Sequence, residues 1–311
     1  MNYSTRLASL FAEASEKIIS YLNDEQINEI LVNPDGKIWV DTFKDGRVDT
    51  GNILSTGERE RIICLVAGMS DQIVTSDQPD VGIEIANSGE RFQGMLPPLV
   101  EHPAFSIRKH CASILTLSDY VDHNCLTKKQ VEIIKKSIKE RKNIIICGAT
   151  SSGKTTFGNA VLQEIAQYHH RVLILEDTRE LQCSARDVVQ LKTTHNRSMR
   201  DLIKIALRLR PDRIVVGEVR GGEALELLKA WGTGHPGGLA TLHAESAQDC
   251  LFRLEDLVAE STVAKQTRLI ANSVDVIIYL QRVDNRRVVK QIVEVKKLSV
   301  ENSDYELNEI K

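Results

Sequence analysis

The chain has 311 residues, of which 42% are hydrophobic and 27% are charged, and this length and composition predict a globular protein of about two domains. Its 40 lysines and arginines and 43 aspartates and glutamates give a net charge of -3, which argues against a protein that binds duplex DNA with a wholly basic surface. The six cysteines form no CxxC pair, so we expect reduced and mostly buried thiols.

The first 22 residues are predicted to form an amphipathic helix. Their apolar residues are spaced as in a helix and are interrupted by Arg6, Glu13, Glu16 and Lys17, which does not fit the continuous apolar segment of a signal peptide. No stretch approaches the roughly 18 apolar residues that a membrane span requires. We therefore predict a cytoplasmic protein whose contact with a membrane, through partners or through this helix, is peripheral.

Residues 1–112 are predicted to form a small α+β domain. EILVNPDGKIWVD is typical of two short strands around the turn Asn33–Gly36. A helix is expected over STGERERIICLVAGM, with Ser55 as N-cap and Glu58 at the spacing of a capping box. Three further strand-like segments are VGIEIA, ERFQGMLPP and AFSIRKH. Periodicity weakens over residues 113–126 and turn-forming residues gather there, which indicates a linker.

Residues 127–311 are predicted to form a second domain of the α/β class. A charged helix over 128–141 leads to the apolar strand NIIIC, a glycine-rich loop and another helix that begins near Lys154. Further apolar strands are expected at 172–176, 213–217 and 239–243, and a closing hairpin from Asp275 onward. Continuous apolar runs that alternate with helical patterns indicate a parallel sheet covered on both faces.

The strongest motif is Gly148-Ala149-Thr150-Ser151-Ser152-Gly153-Lys154-Thr155, which fits the phosphate-binding pattern G-x-x-x-x-G-K-[ST]. Glycines allow the backbone to turn so that successive N–H groups point at phosphate oxygens, and the positive end of the following helix adds to this attraction. Lys154 is expected to reach the β- and γ-phosphates, and the Thr155 hydroxyl to bind Mg²⁺. The motif follows an apolar strand and precedes a helical pattern, as nucleotide binding requires.

Carboxylates follow two of the predicted strands. Glu218 follows the strand RIVVG, and a carboxylate in that place can hold Mg²⁺ through water or orient the attacking water. Glu176 and Asp177 end the strand VLILE in the same way. Because the carboxyl ends of parallel strands meet at one edge of a sheet, we expect these groups to converge on the phosphates. One would then act as general base while the other serves the metal.

Two histidines and several arginines are weaker candidates. His235 and His243 lie in and after the glycine-rich segment GHPGG, where imidazoles could sense the γ-phosphate and transmit its presence to a neighbour. Each histidine taken alone is more often structural. Phosphoryl transfer commonly uses an arginine from outside the phosphate loop, and each single arginine is more often part of a solvated salt bridge. The arginines considered are Arg91, Arg108, Arg208, Arg210 and Arg213.

Four segments in this order, GATSSGKTT, LILEDTREL, RPDRIVVGEVRGGEA and TGHPGGLATLHA, resemble the Walker A, Asp-box, Walker B and His-box motifs of the secretion-superfamily traffic ATPases. NEILVNPDGKIWVD, GERFQGMLPP and AFSIRKH are similar to the N-terminal domain of one branch, the TrbB-type conjugal transfer ATPases of type IV secretion systems. Gly217-Glu218 stands where many NTPases carry Asp, which is usual in this family. The paired CxxC zinc module of type II secretion ATPases is absent from the sequence.

The resemblance implies a RecA-like P-loop NTPase domain preceded by a smaller α+β domain, with ATP bound between the domains in a hexameric ring. It implies ATP and Mg²⁺ as cofactors, with Thr155 and Glu218 at the metal. Glu176 becomes the general base, His243 a catalytic His-box residue, and Arg91 and Arg108 the arginines of the γ-phosphate. The residues expected to bind the cofactor are Gly148, Ala149, Thr150, Ser151, Ser152, Gly153, Lys154, Thr155, Thr156 and His235.

The resemblance also implies a function: a cytoplasmic ATPase, associated peripherally with the inner membrane, that drives conjugal DNA transfer or conjugative pilus biogenesis with other secretion components. A type IV pilus assembly or retraction motor is an alternative of the same mechanism. A second alternative is a docking scaffold that binds ATP without useful turnover. A DNA-translocating motor is disfavoured, and we expect no direct sequence-specific nucleic-acid binding, because near-neutral charge and 5% aromatic residues provide no basic track or stacking platform.

Overall fold

The structure is a computed structural model of the whole chain, and it describes residues 16–24, 26–42, 45–69, 72–85, 89–109, 114–283, 286–298 and 304–310. The chain divides into two compact units, Met1–Ser113 and Ile114–Lys311. The predicted mixed α/β architecture is confirmed. Most of the predicted first helix lies outside the described residues, which contain its last part as α1, Glu16–Asn23.

The first unit contains a six-stranded antiparallel sheet in the order β3-β2-β1-β6-β5-β4. The turn predicted at Asn33–Gly36 joins β1 and β2, and the three later strand-like segments form β4, β5 and β6. The strands are β1 (Ile27–Val32), β2 (Lys37–Thr42), β3 (Gly46–Ile53), β4 (Asp80–Glu84), β5 (Arg91–Met95) and β6 (Ala104–Arg108).

Helix α2, Thr56–Gly68, begins at the predicted cap, where the Ser55 hydroxyl accepts the N–H of Glu58 and the Glu58 carboxylate accepts the N–H of Ser55. Side chains alternate between the two faces of the sheet along each strand, so one face can be apolar. The apolar residues of α2 pack on that face and complete the core of the first unit. One apolar row contains the buried residues Phe92, Ile107, Ile30 and Val40 and the partly buried Ile83. The next row lies on the opposite face and is charged on all six strands: Glu84, Arg91, Arg108, Glu29, Asp41 and Arg47.

The segment predicted as a linker, 113–126, contains a short helix in its described part. Helix α3, Leu117–Asp122, is capped by the Thr116 side chain. Leu117 and Tyr120 are buried in the core of the second unit, and the Tyr120 ring meets Phe157 edge-on with centroids 5.1 Å apart. Helix α4, Lys128–Lys139, follows where the charged helix was predicted. The proposed domain bounds, 1–112 and 127–311 with a linker between them, stay a prediction.

The second unit is built on an eight-stranded sheet in the order β14-β13-β12-β7-β11-β10-β8-β9. The six strands from β12 to β9 are parallel, and β13 and β14 add an antiparallel edge. The strands are β7 (Ile144–Gly148), β8 (Arg171–Glu176), β9 (Asp187–Lys192), β10 (Arg213–Val216), β11 (Leu239–Leu242), β12 (Val276–Val283), β13 (Arg286–Val295) and β14 (Leu307–Glu309). The predicted apolar strands and closing hairpin are therefore present.

Helices pack on both faces of this sheet, and two apolar cores result, one on each face. The central strands β7, β10 and β11 are buried along their whole length, which explains their continuous apolar sequences. The helices are α5 (Lys154–Ala166), α6 (Met199–Arg208), α7 (Glu223–Gly232), α8 (Ala247–Ala259) and α9 (Thr267–Ser273). Within the described residues, none of the helices has the length and apolarity to cross a bilayer.

Candidate nucleotide site

The glycine-rich motif connects the carboxyl end of β7 to the amino end of α5, as its sequence context predicted. Gly153 caps the helix with φ of 87°, a left-handed conformation that glycine adopts without strain. Ser151 also has a positive φ, 60°. Thr155 and Thr156 lie in the first turn of α5 and are partly exposed. The turn and the helix N-terminus together present backbone N–H groups to an anion.

Lys154 is 8% exposed, and its ammonium lies over the loop. Nζ donates to the carbonyl oxygens of Gly148 at 3.0 Å and Ala149 at 2.9 Å, and it lies 3.3 Å from Nδ1 of His243. These contacts hold the positive charge at the mouth of the loop. An ammonium has three donors, so a phosphate oxygen that approaches Lys154 competes with His243 for one of them.

His243 connects Lys154 to Glu218. Nε2 of His243 is 2.7 Å from Oε1 of Glu218, while Nδ1 faces the ammonium. Because an ammonium can only donate, Nδ1 must accept, and the imidazole proton is assigned to Nε2, which faces Glu218. Burial, and secondly the charge of Lys154, lower the pKa of His243, whereas Glu218 acts in the opposite sense. The imidazole is therefore neutral at neutral pH.

This arrangement predicts a pH dependence of stability. The folded protein binds a proton at His243 less readily than the unfolded chain, so the neutral imidazole contributes stability above the unfolded pKa of about 6.5, and this stability is lost as the pH falls. Between pH 7 and pH 5, the free energy of unfolding in urea should fall more steeply for the wild type than for His243→Gln. The difference should reach up to about 1 kcal/mol, since the imidazole is half exposed.

Glutamine is the informative replacement because its amide can accept from Lys154 and donate to Glu218 without titrating. Burial also lowers the pKa of His170, but that residue is present in both proteins and its effect cancels. Parallel pH profiles for the two proteins would contradict the assigned role of His243.

Arg220, which was not among the predicted site residues, contacts the carboxylates of both Glu218 and Asp177. Its Nε donates to Oε2 of Glu218 at 2.7 Å, and its guanidinium is 3.8 Å from Asp177. Hydrogen bonding to Glu218 is the main reason that the pKa of Arg220 is raised. The only signal in the sequence is its position two residues after Glu218, since a residue pair at that spacing can meet just beyond the end of a strand.

Glu176 lies at the end of β8 and is 3% exposed. Its Oε1 accepts the backbone N–H of Glu180 at 2.9 Å and that of Leu181 at 2.8 Å, so the carboxylate is held in a fixed orientation. Gly217, which directly follows the neighbouring strand β10, leaves room for it, because a Cβ there would lie 2.8 Å from Cγ of Glu176. Glu176, Glu218 and His243 thus follow three adjacent parallel strands at the edge where the phosphate loop lies.

His235 is not brought to this edge. It precedes β11, and β11 runs parallel to β7 with Leu239 beside Ile144 and Leu242 beside Cys147. His235 therefore lies at the amino end of the strands, whereas the phosphate loop follows their carboxyl ends. Within one chain, the structure therefore places His243 but not His235 at the edge of the phosphate loop, and nucleotide binding by His235 stays a prediction.

The arginines divide into separate groups. Arg213 is 1% exposed and donates to the carbonyl oxygens of Gly237 and Ile138 and to Nδ1 of His170, which is a structural role. Its burial lowers its pKa to about 10. Arg91 and Arg108 lie in the first unit, directly opposite each other on β5 and β6 and on the same face of the sheet. Neither Arg208 at the end of α6 nor Arg210 follows a strand at the edge of the phosphate loop.

The oxygen donors beside the loop suit magnesium better than a transition metal. Mg²⁺ is usually bound by one or two protein oxygens together with phosphates, and Thr155 offers a hydroxyl and Glu218 a carboxylate. Among the described residues, no group of three or more His, Cys, Asp or Glu side chains could hold a metal ion by itself. This donor set fits a metal that arrives with the nucleotide.

The fold and the loop define a class, a nucleotide-binding P-loop protein with a RecA-like second unit. The sequence profile of the family described as "Type II/IV secretion system protein" matches residues 80–305, and the chain belongs to that family. It is 42% identical to the probable conjugal transfer protein TrbB of Sinorhizobium fredii over 97% of this chain and 93% of that one. It is 41% identical to the conjugal transfer protein TrbB of Rhizobium radiobacter over 88% and 85% of the two chains.

The solved structure of the ATPase DotB of Legionella pneumophila has a similar fold, with a TM-score of 0.65 over 88% of this chain and 78% of that one. Its sequence is only 21% identical, so this likeness shows the fold alone. The resemblance to the TrbB-type branch that the motifs indicated is confirmed by the two relatives.

Proposed function

We propose that the chain hydrolyses ATP at the loop Gly148–Thr155. The observation that carries this proposal is the continuous chain of contacts from Lys154 through His243 to Glu218, because it joins the phosphate-binding cation to the carboxylate that follows β10. Phosphoryl transfer requires little covalent chemistry from a protein, and it is catalysed mainly by positioning and by charge stabilisation. The residues at this edge of the sheet supply both.

Each residue receives a distinct task. Lys154 and the loop N–H groups bind the β- and γ-phosphates, and Thr155 and Glu218 hold Mg²⁺, which neutralises charge on the phosphates when it is bound. Glu176, fixed by two backbone N–H groups, orients and deprotonates the attacking water.

His243 reports the γ-phosphate, because a phosphate oxygen that takes a donor of Lys154 releases Nδ1. The negative charge of a phosphate at this place also offsets the positive charge of Lys154, which otherwise disfavours protonation of the His243 ring. Nucleotide binding would thereby change how His243 holds Glu218, and this links occupancy of the loop to the Walker B carboxylate.

The hydrolysis is proposed to drive conjugal DNA transfer or conjugative pilus biogenesis. The support is the two relatives named as conjugal transfer proteins, which match most of this chain at 41% and 42% identity. We propose a homohexamer that works in the cytoplasm at the inner membrane with other secretion components and without sequence-specific nucleic-acid contacts. A type IV pilus motor would use the same chemistry, but the named relatives favour conjugation.

The proposal is tested by measuring phosphate release by the purified protein with ATP and Mg²⁺, together with its mass by light scattering in the same buffer. The wild type should turn over ATP as a hexamer. In Lys154→Ala, loss of the ammonium should lower turnover by about 10²- to 10³-fold, because preorganised charge at the phosphates is lost. Lys135→Ala, a change at a half-exposed lysine on α4, is the matched control and should leave turnover unchanged.

Two results would redirect the proposal. Nucleotide binding without turnover in any oligomer would favour the alternative of a docking scaffold. A protein that stays monomeric with ATP and Mg²⁺ would contradict the hexamer, whatever its activity.

A further inference from the structure

The β12–β13 hairpin forms a wall along the phosphate loop. In β12, Leu280 pairs with Gly148, and a Cβ added to Gly148 would lie 2.5 Å from the Leu280 carbonyl oxygen. A Cβ added to Gly153 would lie 2.7 Å from Cδ of Arg287 on β13. Both outer glycines of the motif therefore lie against this hairpin: a larger residue at Gly148 would meet the Leu280 backbone, and one at Gly153 would displace the Arg287 side chain.

Arg287 is the charged residue of this wall. Its aliphatic stem packs on Gly153 at the start of α5, and its Nε donates to the Ser151 carbonyl oxygen at 3.3 Å. Arg287 is partly buried, whereas the preceding Arg286 is exposed, as expected for neighbours that point to opposite faces of a strand. The carbonyl group of Ser151, 136 positions away in the sequence, thus holds the Arg287 guanidinium at the rim of the loop.

The order of the strands gives the direction of a bound nucleotide. The phosphate loop follows β7, and the groups assigned to the γ-phosphate follow β11, β10 and β8, all on one side of β7. Strands β12 and β13 lie on the other side. A triphosphate whose γ end points to His243, Glu218 and Glu176 must direct its nucleoside toward β12 and β13. Arg287 stands on that side of the loop.

We propose that Arg287 binds the nucleoside end of ATP, with its planar guanidinium against the adenine base. A guanidinium stacks on aromatic faces and is weakly hydrated, so it suits a base better than an ammonium does. The contact distinguishes a nucleotide from a bare polyphosphate, since it lies outside the cradle of the phosphates. This inference rests on the proposed nucleotide binding at Gly148–Thr155.

The test compares two ligands on the full-length protein by titration calorimetry: the non-hydrolysable β,γ-imido analogue of ATP, and inorganic tripolyphosphate. In Arg287→Met, which keeps the stem over Gly153 and removes the guanidinium, the dissociation constant of the ATP analogue should rise by about tenfold. That of tripolyphosphate should stay within about twofold of the wild-type value. Arg287→Lys keeps the positive charge but replaces the planar guanidinium with an ammonium, so it should lose a similar amount of affinity for the analogue.

Arg286→Ala is the matched control, because it removes the same charge from the adjacent position on the opposite face, and it should bind both ligands as the wild type does. An equal loss for tripolyphosphate in Arg287→Met would mean that Arg287 only orders the loop, and would overturn the nucleoside contact. Unchanged binding of the analogue would overturn it as well. If the wild type binds neither ligand, the proposed nucleotide site itself is wrong, which is a separate outcome.

Discussion

Replacing Glu176 by glutamine is expected to lower ATP turnover by about 10²- to 10⁴-fold, the usual range for loss of a general base. Nucleotide affinity should change little. The amide oxygen of glutamine can still accept the N–H groups of Glu180 and Leu181, so the side chain keeps its place and loses only its basicity. Single-turnover phosphate release and binding of a fluorescent ATP analogue measure the two quantities separately.

Glu176→Ala serves as the contrasting variant. It leaves the N–H groups of Glu180 and Leu181 without their acceptor and opens a cavity, so it should reduce the free energy of unfolding by about 1–3 kcal/mol in addition to the loss of turnover. If Glu176→Gln retains full turnover while Glu218→Gln does not, the base is Glu218, and Glu176 only holds the chain that follows β8.

The resemblance to the traffic ATPases implies that Arg91 and Arg108 act on the γ-phosphate, and we propose this role for them. Changing either to alanine should then depress turnover by about 10³-fold, at the low end of the range for arginines that stabilise charge in phosphoryl transfer. The affinity for ATP should change by much less, because this charge develops in the transition state. The two residues are direct cross-strand neighbours on β5 and β6, so their side chains can act together on one group. The ratio of turnover to binding is the quantity to compare.

The control for this pair is Arg47→Ala. Arg47 belongs to the same charged row but lies on β3, at the other edge of the six-stranded sheet, opposite Asp41. Its removal should leave turnover and binding unchanged. If Arg91→Ala and Arg108→Ala both keep wild-type turnover and wild-type ATP binding, neither arginine takes part in the reaction.

Much of the second unit could be predicted because its signals are local. The apolar strands were recognisable since a strand buried on both faces needs apolar side chains along its length. The loop Gly148–Thr155 was recognisable because the turn, the cradle of N–H groups and the helix N-terminus all form within eight residues. The caps at Ser55 and Glu58 were correct for the same reason: both partners lie within one helical turn.

The place of His235 shows the limit of motif spacing. His235 and His243 are eight residues apart and belong to one glycine-rich segment, yet β11 separates them. A residue before a parallel strand lies at the opposite edge of the sheet from a residue after it. That rule needs only the predicted strand at 239–243, so the sequence already contains the information that separates the two histidines.

The class of fold, the phosphate loop and the carboxylates that follow β8 and β10 are encoded locally, because each depends on neighbours in the chain. Two contacts of the site are not encoded in this way: Lys154 meets His243, 89 positions away, and Arg287 lies on Gly153 and Ser151. Such contacts depend on the order of strands across the sheet. That order is set by the packing of all the strands and helices together, and no local pattern of residues specifies it.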